Sequence, residues 1–478
     1  MAIIMIKEIH KLSALELSLL YKKKSISPLE VSKIILDRIN ITHENLNAFC
    51  FCDEGNVLKQ AKDSEYRWIN NEQKSLFDGV PISIKDLIHV KSWPTLHGSK
   101  AVDINQKWDI DAPSVINLKK AGAIILGKTN TPEFGHKGVT ENLVHGITNN
   151  PWNIDMNAGG SSGGAGSALA SGLGPLALGT DGGGSCRKPA NYCGVVGMKP
   201  SQGRVPSWPA SYLWPLSSAG PMTRSVRDAA YLLDIISQND VRDPETFHNK
   251  VNTFDGIEKQ VQGLKVGFSL SFGGSEPRIE VSDIIENTKS LFQKIGVKLF
   301  DVCPEIINPM KTYRVILDSA WMHTASQFND AQKEKFDPTF AAAVERGSKL
   351  TAVDLRKAFG ERKNFMRIVS EFFSEYDLLI LPTNPTTSYP HGTREPVPEE
   401  NDNWKTTVCF TAPFNITGNP AISIPCGFSK SGLPVGLQII GNYGCDNTVL
   451  NLARAFEKET GFVNQLAPDK FYLSEGRN

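Results

Sequence analysis

The 478-residue sequence has no excess of charge of either sign, since 51 Lys and Arg residues balance 51 Asp and Glu residues. General nucleic-acid and membrane-surface binders usually carry a basic bias. The chain also lacks an apolar run of the roughly 20 residues that a membrane-spanning helix requires. Its N-terminal segment has neither the basic start nor the long apolar stretch of a signal peptide. We therefore expect a cytoplasmic protein that binds neither nucleic acid nor membrane.

The cysteines and histidines show no ligand spacing. The eight cysteines are scattered, and no two of them form a CxxC pair. A chain of this length does not depend on disulfides, so we expect reduced thiols. The nine histidines, among them His89, His97 and His136, form no motif such as HExxH. We therefore predict no metal site and assign these histidines no role.

Helix and strand patterns alternate along the chain. Ser27 precedes a proline, with glutamate at position 30, which is the signature of a capped helix start. Apolar segments 81–85 and 123–126 are predicted strands, with a helical stretch over 114–120 between them. Further predicted strands are 265–268, 378–381, 421–424 and 437–440, and a closing helix is predicted over 450–458. This alternation predicts an α/β architecture.

Two segments differ in composition. Residues 158–203 are rich in Gly, Ser and Ala, which could indicate a flexible linker. Apolar residues such as Leu169 and Val195 are interleaved with them, so we predict a tightly packed interior segment. Residues 240–370 are more charged and helical in pattern. We predict one domain spanning 1–478, in which 240–370 form a more peripheral helical insertion, with residues 474–478 frayed.

Two serine clusters carry the candidate chemistry: GGSSGG at 159–164 and GTDGGGSCRKPA at 179–190. A phosphate-binding loop would require a lysine directly after the glycines, and neither cluster supplies one. A purely structural interpretation, in which serines cap helices, stays open. Nucleophilic catalysis is the third interpretation, because a serine needs a base, and lysine can serve when burial lowers its pKa. A glycine run before a serine also lets successive backbone N–H groups converge on an oxyanion.

These clusters, in order after Lys85 and at the matching spacing, resemble the amidase signature family. The similarity continues through NYCGVVGMKP at 191–200 and GPMTR at 220–224. It returns near the C-terminus in NPAISIP at 419–425 and GLPVGLQ at 432–438. The resemblance therefore touches most of the chain. It implies a large mixed β-sheet covered by helices on both faces.

The resemblance also implies a mechanism. Ser185 matches the nucleophile, Ser161 matches a relay serine that follows a cis peptide bond, and Lys85 matches the base. The backbone N–H groups from Gly182 to Ser185, and so those of Gly182, Gly183 and Gly184, would hold the oxyanion. The expected reaction is hydrolysis of a small-molecule carboxylic amide through an acyl-enzyme, without metal or organic cofactor, in a chain that can form a homodimer.

Three neighbours are expected to support the site. They are Ser162, Asp181 and Arg187; for Ser162 simple packing is an equally good interpretation, and for the charged pair bracing and plain structure are hard to separate. Residues 130–134 and the aromatic residues Trp208, Tyr212 and Trp214 lie in segments that border the acyl pocket in similar enzymes. Each aromatic can also be explained by core packing.

The alternative function is the amidase subunit of a tRNA-dependent amidotransferase, which releases ammonia from glutamine. Relatives of that kind usually carry a segment ending in LDQIGP, where this chain has LSSAGP at 216–221. A non-catalytic binding protein on the same scaffold would be expected to lack Lys85, Ser161 or Ser185, and all three are present.

Overall fold

The computed structural model describes residues 8–247, 249, 252–307, 309–393, 408–462 and 465–473. The segment 474–478, predicted to be frayed, lies outside these ranges. Eleven strands form one mixed sheet: β1 (Phe49–Cys52), β2 (Pro81–Lys85), β3 (Ile124–Thr129), β8 (Leu176–Asp181), β9 (Val196–Lys199), β10 (Ser218–Thr223), β11 (Lys265–Phe268), β12 (Lys298–Phe300), β13 (Leu378–Pro382), β14 (Ala421–Phe428) and β15 (Pro434–Gly441). Their order across the sheet is β1-β3-β2-β8-β10-β9-β14-β15-β13-β11-β12.

The sheet is parallel at two places and antiparallel elsewhere. Strands β3, β2 and β8 run parallel to one another, as do β13, β11 and β12. The strands from β8 to β13 pair antiparallel, and β1 joins the edge antiparallel to β3. Two small ribbons lie outside the sheet and are formed by β4 (Glu141–Asn142) with β5 (Gly146–Ile147), and by β6 (Asn149–Asn150) with β7 (Asn153–Asn157).

Helices connect the strands. They are α1 (Ala14–Lys22), α2 (Pro28–Leu46), α3 (Glu54–Asn70), α4 (Pro113–Ala121), α5 (Gly163–Ala170), α6 (Arg187–Cys193), α7 (Val226–Ile236), α8 (Ile279–Glu286), α9 (Lys289–Ile295), α10 (Pro309–Ala325), α11 (Asp330–Lys333), α12 (Pro338–Ser348), α13 (Ala352–Glu375), α14 (Ala412–Thr417) and α15 (Asp446–Thr460). Short 3-10 turns occur at Ile9–Lys11, Glu133–Gly135 and Asp469–Phe471. Within the described ranges, no helix combines the length and apolarity that crossing a bilayer requires.

Both faces of the sheet are covered. Leu378 and Ile380 of β13 belong to one apolar cluster, whereas Leu379 and Leu381 belong to a second. Because side chains alternate between the two faces of a strand, the two clusters lie on opposite sides of the sheet. The predicted mixed sheet with helices on both faces is confirmed.

The predicted element boundaries hold to within a few residues. Ser27 accepts a hydrogen bond from the Glu30 N–H, and the Glu30 side chain accepts one from the Ser27 N–H, so a capping box starts α2. Strands β14 and β15 are longer than predicted because they pair with each other along most of their length.

The glycine-rich segment is interior, as predicted, and not a linker. Every residue of α5 is buried. At Gly164 a Cβ atom would lie 2.5 Å from both the Ala48 carbonyl oxygen and the Asn130 nitrogen, so only glycine allows this helix to approach the sheet.

Residues 240–370 contribute strands as well as helices. They supply β11 and β12 at one edge of the sheet and the six helices α8 to α13. The interpretation of this stretch as a peripheral insertion in a single domain stays a prediction.

Candidate active site

Lys85 and Thr180 meet at the carboxyl ends of neighbouring parallel strands, β2 and β8. The Lys85 side chain is fully buried. Its Nζ donates to Ser161 Oγ at 2.7 Å and to Thr180 Oγ1 at 2.9 Å. The two oxygens hold the end of an otherwise mobile side chain at one position. Thr180 was given no role from the sequence, although it directly precedes Asp181 in the quoted motif.

The environment of Lys85 favours the uncharged amine. Burial lowers its pKa to about 7, and the nearby Cys186 and Asp181 oppose this shift only in part. An ordinary lysine, with a pKa of about 10.4, is almost fully protonated at neutral pH. With a pKa of about 7, Lys85 is uncharged in an appreciable fraction of the molecules and can accept a proton.

Ser161 and Ser162 follow each other at the site, and Ser162 is hydrogen-bonded both to β8 and to the loop that carries Ser185. The Gly160–Ser161 peptide bond is cis. The Ser162 N–H donates to the Ser185 carbonyl oxygen at 3.1 Å, and Ser162 Oγ donates to the Thr180 carbonyl oxygen at 3.2 Å. Ser162 therefore fixes the distance between these segments.

Ser185 is half-buried and lines the same cavity as Ser161. The hydrogen bonds of the described residues include none between these two hydroxyl groups. The structure thus joins Lys85 to Ser161 directly and brings Ser185 to the shared cavity wall. Hydrogen bonds in ligand-free sites are often longer than in the reacting complex.

Asp181 organises the loop from inside. Its carboxylate accepts hydrogen bonds from the Gly184 N–H at 2.7 Å and the Cys186 N–H at 3.1 Å. The Arg187 side chain adds two more, from Nη2 at 2.9 Å and Nε at 3.0 Å. Burial by itself would raise the pKa of Asp181, but the Arg187 guanidinium and the Asn415 amide hold it well below its ordinary value.

Residues far along the chain complete this brace. The Asn415 amide donates to the Asp181 carbonyl oxygen at 2.9 Å, and its oxygen accepts from Arg187 Nη2 at 2.6 Å. Thr411 Oγ1 donates to the Gly183 carbonyl oxygen at 2.7 Å. Sequence reasoning missed both, because their segment carries no recognisable motif and lies more than 220 positions away.

The predicted oxyanion donors need one correction. The Gly184 N–H is already bound to the Asp181 carboxylate, so Gly184 is not available as a donor. Within the described residues, the N–H groups of Gly182, Gly183 and Ser185 have no acceptor. Gly182 and Ser185 also line the cavity.

The cavity has a volume of about 460 Å³. Phe134, Trp208 and Tyr212 form part of its wall, as expected from the sequence. Trp214 does not: its side chain is 53% exposed and donates to Glu245 Oε2 at 2.8 Å. Among the described residues that line the cavity, none is Asp, Glu, Lys or Arg.

Three histidines without a predicted role, His89, His97 and His323, also line this cavity. Metal-ligand spacing in the sequence does not reveal histidines that line a cavity without binding a metal. His136 instead joins segments, because its ring nitrogens contact the Glu133 carbonyl oxygen and Thr339 Oγ1, both at 2.7 Å.

One group of possible metal ligands exists away from the cavity. Ligand atoms of Cys50, Asp86 and His145 lie within 4.8 Å of one another. However, Lys128 Nζ lies 3.4 Å from Asp86 Oδ1 and is itself buried. Lys128 therefore already neutralises the Asp86 carboxylate. We interpret the group as an ion pair that lies beside Cys50 and His145.

The chain resembles known proteins over nearly its whole length. Residues 30–450 match the family model described as Amidase. The chain is 34% identical to an acylamidase of Rhodococcus erythropolis, covering 98% of this chain and 99% of the relative. It is 30% identical to a glutamyl-tRNA(Gln) amidotransferase subunit of Clostridium botulinum (strain Okra / Type B1), covering 96% and 99%.

A solved structure agrees with these matches. The crystal structure of a bacterial aryl acylamidase of the amidase signature family superposes with a TM-score of 0.88, at 28% identity, covering 96% of this chain and 99% of the other. The chain belongs to the amidase family. It is an enzyme that hydrolyses carboxylic amides.

Proposed function

We propose that the protein is a free-standing amidohydrolase that cleaves small, uncharged amides through an acyl-enzyme on Ser185. The observation that carries this proposal is the buried Lys85 amine, with its lowered pKa, donating to Ser161 beside the cavity that holds Ser185. A serine hydroxyl is too weak a nucleophile without such a base.

The proposed proton path uses the Lys85–Ser161 contact and requires the hydroxyls of Ser161 and Ser185, which line the same cavity, to come into hydrogen-bond contact when substrate binds. Neutral Lys85 takes the proton of Ser161 while Ser161 takes that of Ser185. The Ser185 oxygen then bonds to the amide carbon, and the carbonyl electrons move to oxygen. When the C–N bond breaks, the same path returns the proton to the leaving amine. Water repeats the sequence on the ester and releases the acid.

The oxyanion would be held by N–H groups of the glycine loop. Gly182, Gly183 and Ser185 are the candidates, because their N–H groups have no acceptor among the described residues. Preorganised donors of this kind contribute about 10²–10³ in rate each. The buried pair Asp181 and Arg187 acts one step away, by holding the loop in shape.

The wall of the cavity favours an uncharged substrate. It combines aromatic rings with neutral polar groups and, in the described part, carries no formal charge. A zwitterion such as free glutamine would lose the hydration of two charges on entry and find no side chain of opposite charge there. Acyl and aryl amides fit this environment better.

The second candidate is the glutamine-hydrolysing subunit of a tRNA-dependent amidotransferase. The full-length similarity to the amidotransferase protein from Clostridium botulinum favours it. The neutral cavity wall and the LSSAGP segment rank it second.

A substrate panel on the purified chain tests the proposal. Anilides, aliphatic amides and glutamine are compared, with Ser185→Ala as the inactive control. Cleavage of anilides by the chain alone, together with fluorophosphonate labelling mapped to Ser185, is the expected result. Glutamine as the preferred substrate, or activity only with a co-purified partner, would establish the second candidate instead.

The remaining expectations belong to the same proposal. The base, nucleophile and oxyanion donors all come from this chain, so we infer that the reaction needs no metal or organic cofactor. The eight cysteines are free thiols, which fits a reducing cytoplasm. A homodimer is expected from the family resemblance.

A further inference from the structure

His97 lies in the wall between two neighbouring cavities. The His97 side chain borders both the cavity that holds Ser185 and a second one of about 340 Å³. The residue is 5% exposed. Its ring contacts those of His89, Phe134 and Tyr212, with centroid distances of 5.5, 5.9 and 5.6 Å. Three rings therefore fix its orientation.

The His97 ring has unused hydrogen-bonding capacity. Its Nδ1 is sealed from solvent and has no partner among the described residues. No hydrogen bond of Nε2 occurs among them either. Unsatisfied buried polar atoms are rare in native structures. Nε2 is therefore free to bond a molecule in the cavities.

The ring offers a donor and no charge. Burial lowers the pKa of His97 well below its ordinary value, and His89 and Lys128 act in the same direction. A neutral imidazole carries its proton on one nitrogen. Because an orphaned N–H is rarer in protein interiors than an orphaned acceptor, the proton belongs on Nε2, at the ring edge that borders the cavities.

His97 lies near the catalytic residues by way of the segment that contains Phe134. Phe134, which stacks on His97, is followed by Gly135, where a Cβ atom would lie 3.1 Å from Ser161 Oγ. The segment of Phe134 and Gly135 therefore lies between the His97 ring and the Ser161 hydroxyl, in a cavity that His97, Ser161 and Ser185 all line.

We propose that His97 determines specificity by donating a hydrogen bond to a neutral acceptor on the substrate, such as a second carbonyl group beyond the scissile amide. This inference rests on the proposed amidohydrolase function and names the substrate class that the same site selects. His89, whose ring meets that of His97 and which likewise borders both cavities, supports the orientation of the ring. A carboxylate is disfavoured, because it would lie against an uncharged ring in a cavity whose described wall has no cationic residue.

Two pairs of anilides test this. In the first pair, 5-oxohexanoyl 4-nitroanilide is compared with hexanoyl 4-nitroanilide, which places the ketone on the acyl side. In the second, 4′-(2-oxopropyl)acetanilide is compared with 4′-propylacetanilide, which places the ketone on the amine side without conjugating it to the leaving aniline. We expect kcat/KM of the wild type to favour the ketone member of one pair about tenfold, the value of one hydrogen bond. The pair that responds identifies the side of the scissile bond.

Variants assign the effect to the residue. His97→Phe keeps a ring but no nitrogen and should reduce the preference to nearly one, mainly through KM. His97→Gln retains a donor and should keep part of it. His323→Phe, at an exposed histidine of the same cavity, is the matched control and should leave the preference intact. Melting temperature and fluorophosphonate labelling verify that each variant is folded.

The outcomes separate the two proposals. A wild-type enzyme that cleaves all four anilides without preference, or a preference that survives in His97→Phe, overturns the role of His97 and leaves the amidohydrolase proposal standing. If His97→Phe is unfolded, His97→Gln decides the question. A reduced preference in that variant supports the role of His97, and an unchanged preference overturns it. If the wild-type enzyme cleaves none of the four anilides and the fluorophosphonate does not label it, both proposals are overturned.

Discussion

Asp181 and Arg187 form a fully buried ion pair across the loop that carries Ser185, with Nη2–Oδ1 and Nε–Oδ2 distances of 2.9 and 3.0 Å. The same carboxylate accepts the Gly184 and Cys186 N–H groups. The pair therefore sets the backbone of the loop from within. The position of the Ser185 hydroxyl, and of the neighbouring free N–H groups, depends on it.

Asp181→Asn should lower both stability and activity. Removing one charge leaves the Arg187 guanidinium buried without its counterion, which costs about 3–5 kcal/mol. We expect a fall in melting temperature and a loss of at least about 10² in kcat, as for a misplaced catalytic group. Asp78→Asn is the matched control, since Asp78 is also buried and bound to an arginine, Arg67, at 2.6 Å. Equal activity losses per degree of destabilisation in both variants would contradict a specific role of the Asp181 pair.

Gly183→Ala should disable the loop by a clash that can be partly relieved. A Cβ atom on Gly183 would lie 2.0 Å from Tyr313 Oη. We expect a large drop in kcat/KM in the single variant and partial recovery when Tyr313→Phe removes the hydroxyl. A double variant as inactive as the single one would show that Tyr313 is not the obstacle.

Ser161→Ala and Ser162→Ala should separate relay from support. Ser161 Oγ contacts the Lys85 amine, so its removal breaks the proton path and should lower kcat by about 10³ or more, within the range measured for single members of catalytic triads. Ser162 Oγ contacts the Thr180 backbone and the Cys186 thiol and has no described hydrogen bond to Lys85, so its loss should cost about 1 kcal/mol of stability and far less activity. Comparable kcat values for the two variants would argue against a relay through Ser161.

Thr180→Val should change the pH profile as well as the rate. The Thr180 hydroxyl accepts a hydrogen bond from Lys85 Nζ at 2.9 Å, which stabilises the ammonium more than the amine. Its removal should shift the apparent pKa of the base downward and lower kcat modestly. A rate loss with an unchanged pH profile would indicate that Thr180 contributes only packing.

The features that could be predicted from the sequence are those determined by residues close together in the chain. The capping box at Ser27, strand β2 ending at Lys85 and the buried glycine-rich segment each follow from propensity and spacing. The contact of Lys85 with Ser161 joins distant positions, and only the family resemblance pointed to it.

Other features required the folded chain. Asn415 reaches Asp181 from a helix whose sequence gives no functional signal. The Gly184 N–H faces a carboxylate and not the cavity, a direction that the composition of a glycine run does not specify. His97 gained significance only through burial without a partner among the described residues. Hydrogen-bond direction and burial emerge from tertiary packing.

The protonation state of Lys85 is tested most directly by the pH dependence of fluorophosphonate labelling at Ser185, which reports the first chemical step alone. Burial lowers the pKa of Lys85 to about 7, and the unprotonated amine is the form that accepts a proton. The labelling rate of the wild type should therefore rise with pH through an inflection near 7 and level off above it, and Lys85→Met should label slowly at every pH. A rate in the wild type that keeps rising to pH 10, or an equal rate in Lys85→Met, would contradict Lys85 as the base.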